Sequence, residues 1–171
     1  MITLDEAANE FLAQRRIAVA GVSRDTKQAA NLIYQQAANL IYRRLRDTGH
    51  EVFAVNPSAE EVEGDRCYAS VTAIQDGVDG VVIVTPPDKA LGVVEDCAAA
   101  HVPRVWLHRG VGPGSSSEQA AQFCREHEIS VIPGGCPNMF GATSDRGHKC
   151  LRGMLSFTGK IPRRFDYPAA G

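Results

Sequence analysis

The sequence predicts an α/β fold: a doubly wound parallel sheet of about five strands with helices on both faces. Three observations predict it. Short apolar runs at 17–20, 51–56 and 80–85 end at glycine, Asn-Pro or Pro-Pro. Segments with the apolar spacing of helices alternate with these runs, the layout of βαβ units. Finally, Gly80-Val-Val-Ile-Val-Thr85 is β-branched almost throughout, as in a central strand covered on both faces.

Taken in order, Thr3 caps a first helix with Glu6 as its capping-box partner, and Leu4, Ala7, Ala8, Phe11 and Leu12 share one face. Ile17–Ala20 is the first strand, broken at Gly21. Helix formers then run from about 28 to 47 and stop at Asp47-Thr-Gly49. Glu51–Asn56 is the second strand, ended by Pro57. Residues 58–66 read as polar turns, Cys67–Ser70 as a short extended piece and Val71–Gln75 as a short helix. Gly80–Thr85 is the third strand, and Asp88–Ala100 a helix with Leu91, Val94 and Cys97 on one side. Arg104–His108 is the fourth strand, with Trp106 in the core. Ser115–Ser117 cap a helix to about His127, and Ile129–Ile132 is the fifth strand. Cys136–Gly147 reads as loop, His148–Phe157 as a final helix, and residues 160–168 as an irregular tail.

One domain suffices for 171 residues. Its expected parts are an N-terminal helix over 1–14, the sheet domain over 15–140, and a helix and tail of the same domain over 141–171. A net charge of −2 offers no basic footprint, so nucleic acid is not an expected partner. Five cysteines, an odd number with no C-x-x-C pair, fit a reducing compartment. The start Met1-Ile-Thr-Leu-Asp-Glu lacks the marks of a signal peptide, and no apolar run approaches bilayer length, so the expectation is a cytoplasmic protein without a membrane partner.

Gln28-Ala-Ala-Asn-Leu-Ile-Tyr34 recurs unchanged as Gln36-Ala-Ala-Asn-Leu-Ile-Tyr42. A solenoid needs longer units and several copies, so this reads as a local tandem duplication. Within one helix the eight-residue offset turns the second copy by about 80° and adds about 12 Å, so the copies cannot share one face. Leu40, Ile41 and Leu45 run straight into the turn before the second strand, which assigns the sheet contacts to the second copy. The first copy then projects at the loop after strand one, where it can block a site, remodel it, or make a homodimer contact through Leu32, Ile33 and Tyr34.

In such sheets ligands bind beyond the carboxyl ends of the strands. Those ends carry Gly21-Val22-Ser23-Arg24, Asn56-Pro57, Thr85-Pro86-Pro87, Gly110 and Gly134-Gly135. A strand–loop–helix suits phosphate, because the helix start offers free N–H groups and a positive dipole end. The G-x-G-x-x-G fingerprint is absent, and Asn56 stands where an acid would bind the ribose diol of NAD. Arg24 and Lys27 can meet additional phosphate charge. Cys136, His148 and Cys150 match no compact zinc motif, and Cys136 reads as a structural cysteine. His108 and Arg109 read at least as well as a surface pair as they do as crevice residues. No nucleophile elbow, Ser-His-Asp order or H-E-x-x-H is present.

Ile-Ala-Val-Ala-Gly-Val-Ser-Arg at 17–24, Asn-Leu-Ile-Tyr-Arg-Arg-Leu at 39–45 and Gly-His-Glu-Val-Phe-Ala-Val-Asn-Pro at 49–57 carry a resemblance, continued by Val-Val-Ile-Val-Thr-Pro-Pro at 81–87 and Cys136-Pro137. Over roughly 10–140 the chain resembles the CoA-binding domain of Rossmann type, as in the N-terminal domain of the succinyl-CoA synthetase α subunit and in small proteins made of that domain alone. The resemblance implies a Rossmann-like fold and coenzyme A as ligand. It implies that Gly21, Val22, Ser23 and Arg24 line the CoA phosphates, with Lys27 a further candidate. Asn56 and Pro57 would shape the adenosine side, Thr85, Pro86 and Pro87 would flank the crevice, and Gly110 would lie near the pantetheine arm. The eight added residues depart from the family's spacing between Ser23 and the Asn-x-Ile-Tyr segment. The leading expectation is a protein that binds CoA or acyl-CoA without self-sufficient catalysis. The alternatives are a nucleotide-dependent enzyme or ligase partner subunit, and a protein-interaction module whose CoA site the repeat has altered.

Overall fold

The computed structural model describes residues 1–24, 32–110, 112 and 114–168, with the side chains of all of these except Leu32 and Ile33. The elements are β1 (Ile2–Thr3), α1 (Leu4–Leu12), β2 (Arg16–Ala20), α2 (described from Leu32 to Asp47), β3 (Glu51–Val55), β4 (Glu61–Val62) and β5 (Asp65–Tyr68). Then come β6 (Gly80–Ile83), α3 (Pro87–Ala99), β7 (Arg104–Leu107), α4 (Glu118–Glu126), β8 (Ser130–Ile132), α5 (Arg146–Phe157) and β9 (Arg164–Phe165). Single turns of tight helix lie at Val71–Ala73, Pro137–Met139 and Gly141–Thr143. Among the described residues no helix is long and apolar enough to cross a membrane.

The main sheet has seven strands in the order β4-β5-β3-β2-β6-β7-β8. All neighbours are parallel except β4 and β5. Counted along the chain, the parallel strands run 3-2-1-4-5-6, the order of a Rossmann sheet, with its switch point between β2 and β6. Alternation along each strand divides the core. Ile17, Val19, Val82, Trp106 and Ile132 pack with α1, α2 and α5 on one face. Ala18, Ala20, Val81, Ile83, Val105 and Val131 pack with α3 and α4 on the other.

Local chemistry accounts for the ends. Thr3 and Glu6 form the reciprocal capping box of α1, and Ser117 caps α4 by accepting from the Ala120 N–H. The sheet exceeds the expected five strands because β4 and β5 form an antiparallel edge ribbon, Glu61↔Arg66 and Val62↔Asp65, inside the segment read as turns. The tail is not irregular. β9 pairs with β1, Ile161 is buried, and the Tyr167 hydroxyl donates to Glu10 Oε2 at 2.6 Å. Glu10 Oε1 accepts from Arg104 Nε at 2.6 Å, so one carboxylate of α1 holds both the tail and the start of β7.

The second copy of the repeat and the turn after it supply the packed face of α2: Ala38, Ile41 and Tyr42, then Leu45, are all buried. Tyr42 donates to Asp65 Oδ2 at 2.8 Å, tying the helix to the edge ribbon. Residues 28–31 of the first copy lie outside the described residues, as do the side chains of Leu32 and Ile33.

Candidate functional site

Three strand ends meet at the switch point: Ala20-Gly21 after β2, Asn56-Pro57 after β3 and Val84-Thr85-Pro86 after β6. Between them opens a cleft of about 610 Å³ that Gly21, Ser23, Arg24, Asn56, Pro57, Thr85 and Pro86 all line. The volume falls within the usual range of small-molecule sites.

The floor of the cleft depends on Gly21. Its φ is +106°, and a Cβ there would lie 2.3 Å from the Val84 carbonyl oxygen. Only glycine lets β2 turn out of the sheet so close to β6. The next turn is clamped from α2: Asn39 Oδ1 accepts from the Ser23 N–H at 2.9 Å, and Asn39 Nδ2 donates to the Ser23 carbonyl at 2.8 Å. Asn56 has a comparable structural duty. Its Nδ2 donates to the Val22 carbonyl at 2.8 Å and its Oδ1 accepts from the Ser58 N–H at 2.8 Å. Both ends of that amide are therefore engaged in holding the β2 and β3 loops together. Thr85 Oγ1, by contrast, is buried at the cleft wall without a hydrogen-bond partner among the described residues. Among the described residues two cations border the space, Arg24 and Lys89, and Lys89 stands in the first turn of α3.

The other expected site residues fall elsewhere. Val22 is fully buried, so only its backbone can serve the loop. Pro87 opens α3 as its first residue. Gly110 lies beyond β7 at a second cavity, of about 400 Å³, which also reaches His108, Cys136, Asn138 and His148. Lys27 is outside the described residues. Asn39 and Lys89 join the site without a signal in the local sequence, whereas Tyr34 and Gln35 belong to the segment expected to project at the loop after strand one. The last two line the cleft from the first copy of the repeat and just after it.

His108 is not a surface residue: it is 8% exposed. The Ser115 N–H donates to the His108 carbonyl at 2.6 Å, which brings Gly114 and Ser115 back against the end of β7. Burial, with a smaller contribution from nearby His148, pushes the His108 imidazole down to about 4 from 6.5. Between those values an unfolded chain takes up a proton that the folded one refuses. Stability is therefore intact above about pH 6.5 and falls as the pH drops toward 4. A His108→Gln variant is expected to lose this part of the acid sensitivity, read from urea midpoints at about pH 7.5 and 4.5. An unchanged difference between the two midpoints would show that His108 is not the group responsible.

Cys136 is buried, and burial pushes its thiol up to about 12, which leaves it a poor nucleophile near neutral pH. His148 Nδ1 lies 2.9 Å from Asp145, which also pairs with Arg44 and caps α5 through the His148 N–H. Hydrogen bonds from His148 and from Arg44 hold the Asp145 carboxyl well below the usual range. Cys150, the third sequence candidate for a metal ligand, is exposed, and no group of three ligating side chains converges among the described residues.

Comparison with known proteins agrees with this architecture. The family model described as "CoA binding domain" matches residues 15–142. An ADP-forming acetate–CoA ligase of Archaeoglobus fulgidus is 37% identical over 129 residues, which cover 72% of this chain and 18% of that protein. The protein YneT of Bacillus subtilis is 25% identical over 122 residues, 71% of this chain and 82% of its own. Among solved structures, a protein from Pyrococcus horikoshii superposes with a TM-score of 0.66 at 26% identity, covering 86% of this chain and 92% of that one.

Proposed function

The chain belongs to the CoA-binding domain family, and from that premise we propose that it binds coenzyme A or an acyl-CoA in the switch-point cleft. The observation that carries the reading is the convergence of three loops, Gly21–Arg24, Asn56-Pro57 and Thr85-Pro86, on one space of about 610 Å³. The pyrophosphate lies against the Gly21–Arg24 loop, which the missing Gly21 Cβ lets pack on β6; the Gly21 and Ser23 N–H groups are already taken by Val55 and Asn39, so charge at Arg24 carries the contact. Arg24 and Lys89 supply the charge that a further phosphate requires. Thr85 Oγ1, buried and without a partner among the described residues, offers a hydroxyl at the wall. NAD is disfavoured, because Asn56 has no carboxylate for a ribose diol and its amide is already engaged at both ends.

The reading is one of binding, and we assign no catalytic step. The chain spans 18% of the length of the acetate–CoA ligase it resembles, so that enzyme's activity is not carried over. An expected consequence concerns Arg24. Its replacement by alanine should weaken CoA binding about tenfold in a calorimetric titration, and added salt should weaken the parent protein more than the variant. Equal affinities would remove Arg24 from the site. A second comparison concerns the repeat. Deleting residues 28–35 takes away Tyr34 and Gln35, both at the cleft. The shortened chain should bind CoA with an affinity at least about threefold different from the parent. Identical affinities would show that the first copy does not shape the site.

A further inference from the structure

The carboxyl edge of the sheet continues past the switch point into the second cavity, of about 400 Å³, beyond β7 and β8 and against α2 and α5. Leu40, Met139 and Leu151 give it an apolar wall. Two polar side chains on that wall are left without explanation by the packing. The Nδ1 of His108 is buried and has no hydrogen-bond partner among the described residues, in a side chain that is 8% exposed. Asn138 is 1% exposed, and its Oδ1 is also unpartnered. Folded proteins leave few buried polar groups in this state, and two at one cavity point to an absent ligand. Gly110 keeps the space before the His108 ring open, since a Cβ there would come within 3.7 Å of the ring. Tyr34 lines both this cavity and the switch-point cleft, so the two spaces adjoin at that side chain.

A molecule that fits both spaces is anionic at one end and apolar at the other, with polar groups between. We propose that the second cavity takes the acyl group of an acyl-CoA, its hydrocarbon against Leu40, Met139 and Leu151 and its thioester beside His108 and Asn138. This rests on the CoA reading of the first cleft. The imidazole, neutral near pH 7, donates its N–H to the thioester carbonyl. Asn138 Oδ1 accepts from the amide N–H at the end of the pantetheine arm.

The test is a calorimetric series on the whole chain with CoA and its acetyl, butyryl and hexanoyl thioesters. Affinity should rise with chain length, by up to about fourfold per methylene, so that hexanoyl-CoA binds at least about tenfold more tightly than acetyl-CoA. Leu40→Trp fills the cavity, and the ratio of hexanoyl-CoA to CoA affinity should then collapse to about one. Should that variant fail to fold, Leu151→Trp fills the same space from α5, and the wild-type series stands without either. If CoA binds and its thioesters bind no more tightly, the acyl pocket is overturned while the CoA reading survives. A chain-length gain that persists in the tryptophan variant places the acyl group elsewhere and likewise overturns it. If neither CoA nor any thioester binds, both readings fall.

Discussion

Replacing Trp106 with alanine is expected to remove about 3–5 kcal/mol of stability. It is the single tryptophan of the chain and is fully buried at the middle of β7. Phe11 of α1 meets it edge-on with ring centroids 5.4 Å apart, and Phe140 meets it at 5.7 Å. Its indole N–H donates to the Gly134 carbonyl at 3.0 Å, which ties β7 to the turn after β8. Truncation opens a cavity among α1, the sheet and the 137–139 turn, and it strands that carbonyl. Trp106→Phe restores much of the volume without the donor, so its loss should be clearly smaller. Urea unfolding followed by far-ultraviolet circular dichroism reads both variants, since neither retains the fluorophore. A loss below about 1 kcal/mol for the alanine variant would contradict the packing described.

Gly21→Ala carries the second large effect, on the loop that begins the site. Two costs add there. A φ of +106° is foreign to a residue with a side chain, and the new Cβ would lie 2.3 Å from the Val84 carbonyl oxygen and 2.8 Å from its carbon. Both neighbours are backbone, and β2 is paired to β6 on that side, so relief requires the strands to part. The expected loss is about 3 kcal/mol or more, accompanied by weaker CoA binding because the Ser23 turn moves. Gly92→Ala in α3 is the matched control. Nothing lies within 4 Å of a Cβ there, and in a helix the change should be neutral or stabilising by up to about 1 kcal/mol. A Gly21 variant as stable as the Gly92 variant would refute the close approach of β2 and β6.

How much of this could be read from residues alone follows from the range of the forces involved. The β2, β3, β6, β7 and β8 runs are legible because burial on both faces demands continuous apolar sequence. The turn glycine, Ser23, Asn56 and Thr85 are legible for a related reason: each stands where such a run stops. The edge ribbon is legible only in part. Cys67-Tyr68 of β5 falls on the expected extended piece, whereas Glu61-Val62 and Asp65-Arg66 are two-residue segments rich in charge, too short to leave an alternation to detect. The pairing of Ile2–Thr3 with Arg164–Phe165 joins the two ends of the chain, and nothing local encodes it. Asn39 illustrates the same limit within the site. Its bidentate hold on Ser23 spans 16 residues, and the repeat offers Asn31 as an identical candidate. Only the packing of the second copy against the sheet singles it out. His108 misleads for the opposite reason. A polar pair closing a strand looks exposed until Gly114 and Ser115 are seen to return against the His108 carbonyl.

The central claim is that the switch-point cleft holds coenzyme A, and thermal unfolding of the intact chain with CoA, acetyl-CoA, NAD, NADP and ATP tests it most directly. A ligand that binds only the folded state, at about 100 times its dissociation constant, adds about 2.7 kcal/mol. For one domain of this size that shifts the midpoint by several degrees. The expected result is a clear upward shift with CoA and acetyl-CoA and little with NAD. A shift with NAD and none with CoA would contradict the account.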